Sequence, residues 1–229
     1  MNAASRISIV LGFVCVFLVP APTFAQRSLF GRSQNSLISL ASNEAVQKDL
    51  GCSAYEVNKL REFQDEYRAA SQKELSSLGI SFQNFRSITD AQREAAGLKM
   101  AEVTARLNKE YLPKLQRVLV PDQMKRLRQI QIQASGVDAM LEGDLAAELV
   151  LSEEQKKSLT AIRDEYSSKQ QGLFRGEGDQ QERNNKIREL SEERDRKVSE
   201  LLTSDQNAKL ITLQGEPFDV SQLRSRRGN

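Results

Sequence analysis

The sequence predicts an all-α fold, built as tandem long antiparallel helical hairpins with short flanking helices. Apolar residues recur at three- and four-residue steps in every long segment, and no segment alternates cleanly between apolar and polar residues. Two stretches of the chain resemble later stretches, and the predicted helix starts share one capping chemistry. These observations indicate a duplicated helical unit, which is typical of a packing scaffold rather than of a reaction centre.

The duplication is visible at two offsets along the chain. At an offset of 99 positions, Asp65-Glu66-Tyr67 meets the identical Asp164-Glu165-Tyr166, and Leu60 meets Leu159. At an offset of 83 positions, Asp122-Gln123 meets Asp205-Gln206. The first copy therefore has 16 more residues between its matched segments than the second copy has.

Residues 1–25 are predicted to be a signal peptide. Arg6 supplies a positive flank, an apolar run covers residues 7–19, and Thr23-Phe24-Ala25 offers small residues for a signal peptidase. The apolar run is short for a membrane helix, although an uncleaved anchor is the alternative interpretation. We expect a periplasmic or secreted protein that starts near Gln26 and has no integral membrane span after cleavage.

The remaining chain is predicted to fall into four parts. Residues 26–42 form an N-terminal linker and helix start, residues 43–136 the first helical repeat, and residues 137–218 the second. Residues 219–229 form a flexible basic tail, because Arg224, Arg226 and Arg227 lie together at the C-terminus.

Four apolar stripes define the long helices in chain order. Polar segments with glycine separate the two helices of each hairpin, at 79–89 and at 172–179. The six central residues expected to be most buried are Leu60, Phe63, Tyr67, Leu159, Ile162 and Tyr166. Pro113 is predicted to kink or break its helix near Leu112. Gly215 and Pro217 are predicted to close the last helix, with Phe218 folding back on it.

The helix starts carry a hydroxyl followed three residues later by glutamine. In Ser152-Glu153-Glu154-Gln155 and Thr203-Ser204-Asp205-Gln206 the hydroxyl can accept a backbone N–H, while the glutamine reaches back to the N–H of the capping residue. Ser53 to Glu56 and Thr89 to Gln92 are looser versions. Val120-Pro121-Asp122-Gln123 lacks the hydroxyl but places proline at a first helical position.

These motifs resemble the LTxxQ signature of the Spy/CpxP-type periplasmic proteins. The closest matches run from Leu151 to Gln155 and from Leu202 to Gln206; Leu119 to Gln123 is a degenerate third copy, and Leu50 to Glu56 a distant fourth. The resemblance implies an antiparallel, often cradle-shaped helical dimer that binds partly unfolded or envelope-stress proteins without ATP.

Two departures from that family matter. Its members are single units that dimerise, whereas this chain carries two units in series, so the pair could form within one molecule or in a homodimer. Metal-sensing relatives use histidines, and this sequence has none. We therefore expect no zinc or copper sensing.

Composition argues against several other classes of protein. The formal net charge is +2, and removal of Arg6 with the signal peptide leaves 32 basic and 31 acidic residues, so nucleic acid is not an expected partner. The absence of histidine removes the usual general base and the commonest metal ligand. No phosphate loop, paired metal cysteines or calcium loop occurs, so we expect no cofactor, no metal and no enzyme activity. The carboxylates that could act in a hydrolase are Glu153, Glu154, Glu192, Glu193 and Asp195, which alternate with basic residues as on a solvated helix face.

The 16-residue excess of the first copy suggests a site for protein clients. It falls across a segment with four large apolar residues and an arginine, namely Ile80, Phe82, Phe85, Ile88 and Arg86. The alternative is that these side chains cap the open end of the hairpin and fill the local core. Cys52 aligns with Leu151, which favours a role as a small buried apolar side chain over a redox or intermolecular role.

The leading hypothesis is that the protein is exported, is not an enzyme and binds other proteins. It would act as an ATP-independent periplasmic chaperone or envelope-stress regulator, with unfolded or envelope proteins as its partners. The alternative is a structural or assembly component of the cell envelope, in which duplication lengthens a rigid helical rod.

Overall fold

The structure, a computed structural model, describes residues 35–77, 89–141, 144–175 and 179–224. Within these ranges every regular element is a helix, which confirms the all-α prediction. α1 (Leu37–Ala41) lies in the N-terminal segment before the repeats, and the first repeat contributes α2 (Glu44–Asp49), α3 (Ala54–Ser77), α4 (Asp90–Val118) and α5 (Pro121–Ser135). The second contributes α6 (Val137–Leu141), α7 (Asp144–Glu148), α8 (Glu153–Arg175), α9 (Gln180–Leu201) and α10 (Ser204–Gln214), and a 3-10 helix follows at Val220–Arg224.

Each repeat is built around two long helices that pack against each other, α3 with α4 and α8 with α9. Ion pairs give the direction of the first pair: Glu66 contacts Lys114, whereas Glu74, further along α3, contacts Arg106, which lies earlier on α4. In the second pair Glu165 contacts Lys197, whereas Lys169, further along α8, contacts Glu193, which lies earlier on α9. The ion pairs therefore run in an antiparallel sense in both long pairs, which is compatible with the predicted hairpins.

Two clusters of buried apolar side chains form the core. The first gathers residues of α1 to α5, and the second gathers residues from Ile132 to Leu210. Leu60 and Leu159, which correspond in the repeat, lie at their centres with 1% and 0% of their surfaces exposed. Phe63 and Tyr166 are also buried, while Tyr67 and Ile162 are half-buried against the clusters. Burial of these stripes against their partners is the main source of fold stability.

The C-terminal end of α10 connects the two repeats. The Gln133 amide nitrogen on α5 donates to the carbonyl oxygens of Gln214 at 2.7 Å and Glu216 at 2.8 Å. Gly215 closes α10 with a φ of 63°, and a Cβ at this position would lie 2.3 Å from the Gln129 side chain. Only glycine meets both constraints without a shift of its neighbours.

Two expectations for the C-terminal region need correction. Phe218 packs against the first apolar cluster instead of folding back on α10, because its backbone N–H donates to Gln133 Oε1 at 2.7 Å and draws the chain toward α5. The flexible tail predicted from residue 219 is too long, since the 3-10 helix Val220–Arg224 contacts α2 and α5 and places Leu223 against the first cluster.

Pro113 does not break its helix. α4 continues from Asp90 to Val118 with Pro113 inside it. Of the two predicted outcomes, the break near Leu112 does not occur, because packing at Tyr111 and Leu115, both at least 96% buried, holds the helix together around the missing hydrogen bond. The kink stays a prediction.

Candidate functional site

The two best-matched motifs meet through their glutamine side chains. Gln155 lies in the first turn of α8 and Gln206 in the first turn of α10. The Gln155 amide nitrogen donates to the Gln206 amide oxygen at 2.7 Å, and the Gln206 nitrogen donates back to the Gln155 oxygen at 3.0 Å. The starts of α8 and α10 are thus joined by a reciprocal pair of amide hydrogen bonds.

Each glutamine also caps its own helix. The N–H of Ser152 donates to Gln155 Oε1 at 3.0 Å, and the N–H of Thr203 donates to Gln206 Oε1 at 2.9 Å. In return the Ser152 and Thr203 hydroxyl oxygens accept the backbone N–H groups of Gln155 and Gln206. Both hydroxyl–glutamine capping boxes form, and each glutamine oxygen serves a cap and the opposite glutamine at once.

The amide nitrogens reach backbone carbonyls as well. Gln155 Nε2 donates to the Leu201 carbonyl at 3.2 Å, and Gln206 Nε2 donates to the Leu149 carbonyl at 3.2 Å. Each glutamine therefore ties the start of its own helix to the chain segment just before the other motif. Leu151 and Leu202, the motif leucines, are buried beneath this junction.

The first repeat contains the same junction with one chemical change. Gln123, the counterpart of Gln206, donates to the Leu50 carbonyl at 3.4 Å, and Leu50 is the counterpart of Leu149. Glu56 takes the place of Gln155 and accepts the Ser53 N–H at 2.7 Å. The Ser53 backbone and hydroxyl groups, helped by the Gln123 amide, hold the pKa of Glu56 below its ordinary value. A carboxylate–amide contact thus replaces the amide–amide pair.

The turns before α3 and α8 are Schellman motifs. The Gly51 and Cys52 N–H groups donate to the carbonyls of Lys48 and Gln47 at 3.1 and 3.0 Å. In the second repeat, Val150 and Leu151 make the corresponding bonds at 3.0 and 3.1 Å.

The two turns differ in their left-handed residue. Gly51 has a φ of 64°, and Val150 has a φ of 51°. A β-branched residue is strained in this conformation, and the Val150 side chain is 78% exposed, so little packing offsets the strain.

Above each junction an ion pair repeats between the long helices. Lys114 lies 2.6 Å from Glu66, and their counterparts Lys197 and Glu165 lie 3.2 Å apart. The hydrogen bond from Lys114 lowers the pKa of Glu66. Lys169, which has no basic counterpart in the first repeat, is the main cause of the lowered pKa of Glu165. All four paired side chains are well exposed, so the pairs fix orientation more than they add stability.

Several of the carboxylates considered for hydrolysis lie in ion pairs within their own helices, and Glu192 lies 4.0 Å from Arg188. Glu153 pairs with Lys156, and Asp195 pairs with Arg194, each on its own helix. Within the described ranges, no group of three or more histidine, cysteine, aspartate or glutamate side chains is arranged to hold a metal ion. The geometry offers helix capping and surface ion pairs at these positions.

Exposed apolar side chains lie close to the motif turns. Val120, the N-cap residue of α5, is 53% exposed, and Tyr55, the second residue of α3, is 70% exposed. Val150 adds a third apolar side chain at the corresponding turn of the second repeat. Other exposed large apolar residues are Leu98, Ile211 and Val220. Both junctions therefore display apolar groups to solvent.

The client-contact residues proposed from the sequence, Ile80, Phe82, Phe85, Arg86 and Ile88, lie outside the described residues. Cys52 is a free thiol, half-buried against the first apolar cluster, and burial raises its pKa. The raised pKa keeps the thiol protonated near neutral pH, which suits a packing role.

The capping pattern predicts the role of the motif residues at their own helix starts, whereas their bonds to one another are seen only in the structure. Their proximity was available from the pattern: an antiparallel pair places the start of its first helix and the end of its second helix at one end. Gln155 lies at the start of α8, and Gln206 follows the end of α9. The two glutamines must therefore lie at the same end of the helix pair.

Comparison with protein-family models, with curated proteins and with solved structures finds no match. In the part of the chain that the structure describes, no helix has both the length and the apolar character needed to cross a membrane.

Proposed function

We propose that this chain is an exported, non-enzymatic protein that binds other proteins, as an ATP-independent chaperone or envelope-stress regulator of the periplasm. The observation that carries the proposal is the exposure of apolar side chains at the motif turns of both repeats. These turns are fixed by the Gln155–Gln206 amide pair in the second repeat and by the bond from Gln123 to the Leu50 carbonyl in the first. The resemblance to the Spy/CpxP-type proteins supplies the class of partner: partly unfolded or envelope proteins.

The exposed apolar groups support a binding role. Val120, Tyr55 and Val150 are each more than half exposed, although a purely structural bundle would gain by covering them or replacing them with polar residues. Rigid junctions hold these side chains in place, because each junction is fixed by caps, amide bonds and buried leucines. A fixed apolar surface loses little conformational entropy when a client binds.

The charges on the long helices fit the same role. Lys114, Lys197 and their glutamate partners alternate along solvated faces, which keeps the protein soluble while its apolar groups remain exposed. Client binding would then depend on a few apolar contacts, with charged surroundings that limit self-association.

The test is suppression of aggregation by protein produced from the full sequence and recovered after export. Heat-denatured citrate synthase serves as the client, and light scattering reports its aggregation. We expect protection at equimolar dose without ATP, and a clear reduction of protection in the double variant Tyr55→Ser, Val120→Ser. Ile211→Ser, which removes an exposed apolar side chain away from the motif turns, is the matched control and should protect as well as the unchanged protein.

A second variant examines the client segment proposed from the sequence, with serine at positions 80, 82, 85 and 88. Loss of protection there, with the motif-turn variant unaffected, would move the binding surface to that segment. If the unchanged protein gives no protection at equimolar dose, the chaperone proposal fails, and the structural or assembly role is favoured.

A further inference from the structure

The chain that follows Gly215 lies as a strap across the first repeat. This C-terminal strap, residues 216–224, ends in the 3-10 helix, which contacts both α2 and α5. Phe218 and Leu223 of the strap pack against the first apolar cluster, to which α2 and α5 both contribute buried side chains. The C-terminal segment therefore covers apolar surface of the first repeat.

Polar contacts hold the strap at its start. The Glu216 carbonyl accepts a hydrogen bond from Arg126 Nη1 at 2.7 Å, and the Phe218 N–H donates to Gln133 Oε1 at 2.7 Å. Further along, the Asp219 carboxylate accepts its hydrogen bonds from residues of the strap itself. The 3-10 helix is thus stabilised largely from within, and Leu223 provides an apolar contact to the repeat beneath it.

The chain after α5 gives a comparison for how firmly such a segment can pack. α5 also ends at a glycine with a positive φ, Gly136, and α6 follows it. Val137 and Met140 of α6 are only 3% and 4% exposed, whereas Phe218 and Leu223 of the strap are half-buried. Release of the strap therefore uncovers less of its own apolar surface than release of α6 would, and the strap is the segment suited to local opening.

An open groove of about 1240 Å³ continues from the strap. Gln222 of the strap lines this groove, and so do residues of α2 and of α3. Cys52, Val57 and Leu60 are its apolar lining residues nearest the start of α3. A longer segment in place of the strap would therefore extend into the groove.

We propose that the surface of α2 and α5 beneath the strap binds an apolar segment of a client protein, and that the strap is its displaceable occupant. This inference rests on the proposed function and adds a covered binding surface to the exposed one. The strap supplies the chemistry of the client segment: a large aromatic side chain and an aliphatic side chain five positions later, as in Phe218 and Leu223. Its covalent tether gives the strap an effective concentration of about millimolar, so only favourable segments displace it.

The test uses a synthetic peptide of residues 216–224 as the probe and two-dimensional NMR of the full chain. The strap variant, Phe218→Ser with Leu223→Ser, vacates the surface. We expect saturable shifts of α2 and α5 amides in this variant, with an affinity about tenfold or more above that of the unchanged chain, where the strap competes. Ile211→Ser is the matched control and should bind the peptide as the unchanged chain does.

Two NMR results would overturn the proposal. One is the absence of saturable shifts in a strap variant that keeps the helix content of the unchanged chain by circular dichroism. The other is equal affinity in both chains, which would place the peptide elsewhere. Analytical ultracentrifugation tests a second copy as the occupant: a dimer of the unchanged chain that is lost in the strap variant would also overturn the proposal.

Hydrogen exchange of the unchanged chain tests strap opening without any substitution. After correction for intrinsic rates, the Phe218 N–H should exchange about tenfold or more faster than the Ile130 N–H, because the strap opens while α5 stays folded. Equal protection of the two amides would show that the strap leaves only on global unfolding, which contradicts the proposal.

Aggregation of citrate synthase separates this inference from the proposed function. The strap variant should protect the client at a lower dose than the unchanged chain does. Protection by the unchanged chain with no gain in the strap variant would refute the inference and leave the proposed function standing. Peptide binding without protection by either chain would support the covered site and refute the chaperone proposal.

Discussion

Replacing Val150 by glycine should stabilise the protein, although it removes an apolar side chain. Val150 occupies the left-handed position of a Schellman turn, with a φ of 51°, where the first repeat has Gly51. Its side chain is 78% exposed, so the substitution removes little packing. The effect should therefore come from the backbone.

The magnitude follows from two opposing terms. Relief of the left-handed conformation for an L-residue is worth about 1–2 kcal/mol. The greater freedom of glycine in the unfolded chain costs about 0.4–1 kcal/mol. We expect Val150→Gly to raise the free energy of unfolding by up to about 1.6 kcal/mol, with about 0.8 kcal/mol at the middle of the two ranges.

The reverse exchange in the first repeat is the matched experiment. A Cβ at Gly51 would meet nothing within 4 Å, so Gly51→Val introduces backbone strain without a steric clash and should destabilise by a similar amount. Urea denaturation followed by circular dichroism measures both variants, and the m-value should not change. Val150→Ala keeps a Cβ and should gain less than Val150→Gly. A loss of stability in Val150→Gly, or no loss in Gly51→Val, would refute the reasoning.

Three further predictions concern the helices. Leu159→Ala should lower the free energy of unfolding by about 2–5 kcal/mol, because Leu159 is fully buried. Ile211→Ala, at an exposed site, should lower it by less than about 0.5 kcal/mol. Equal losses in urea denaturation would contradict this. Pro113→Ala should stabilise by about 1–3 kcal/mol by restoring a helical N–H, and a lower thermal midpoint would oppose that view. The pKa of Glu66 is lowered in the folded state, so its contribution to the free energy of unfolding is present at neutral pH and is lost as pH falls through the folded pKa. Glu66→Gln should therefore flatten the fall of stability between about pH 6 and pH 3. An unchanged dependence of the urea midpoint on pH would count against the ion pair with Lys114.

Most of the fold follows from local patterns in the sequence. The apolar stripes predict the long helices because each pair buries one face, and Leu60 and Leu159 are as buried as the stripes require. The capping residues predict where α8 and α10 start, since the hydroxyl–glutamine bonds are made within four residues. Hydrogen bonds between residues within four positions of each other can be predicted without knowledge of the tertiary structure.

Features that depend on the meeting of distant segments were not predicted. The pairing of Gln155 with Gln206 joins residues 51 positions apart, and the position of Phe218 depends on Gln133, 85 positions away. Pro113 shows the converse: its local preference for a break was overridden by the burial of Tyr111 and Leu115. The strain at Val150 could have been suspected from its alignment with Gly51, but the alignment alone does not give a φ angle.

The exposed apolar residues at the motif turns are not among those that the sequence suggested for client binding, and the client segment proposed from the sequence stays a prediction. The sequence predicts a client contact in the additional residues of the first repeat, between Ile80 and Ile88. The exposed apolar side chains that the structure describes near the motifs are instead Tyr55, Val120 and Val150. The exposure of a side chain depends on which neighbouring residues cover it. A pattern of apolar stripes along a helix does not predict whether residues at the helix ends are covered.

The contact between Gln155 and Gln206, which joins the motif helices of the second repeat, is the feature of the molecule to test most directly. A double-mutant cycle with Gln155→Ala and Gln206→Ala tests it directly by urea denaturation, because each single change removes its own cap and the cycle isolates the contact between them. We expect a coupling free energy of about 1 kcal/mol or more, against a value near zero for a reference cycle that pairs Gln155→Ala with Gln123→Ala in the other repeat. A coupling between Gln155 and Gln206 no larger than that of the reference cycle would contradict the account.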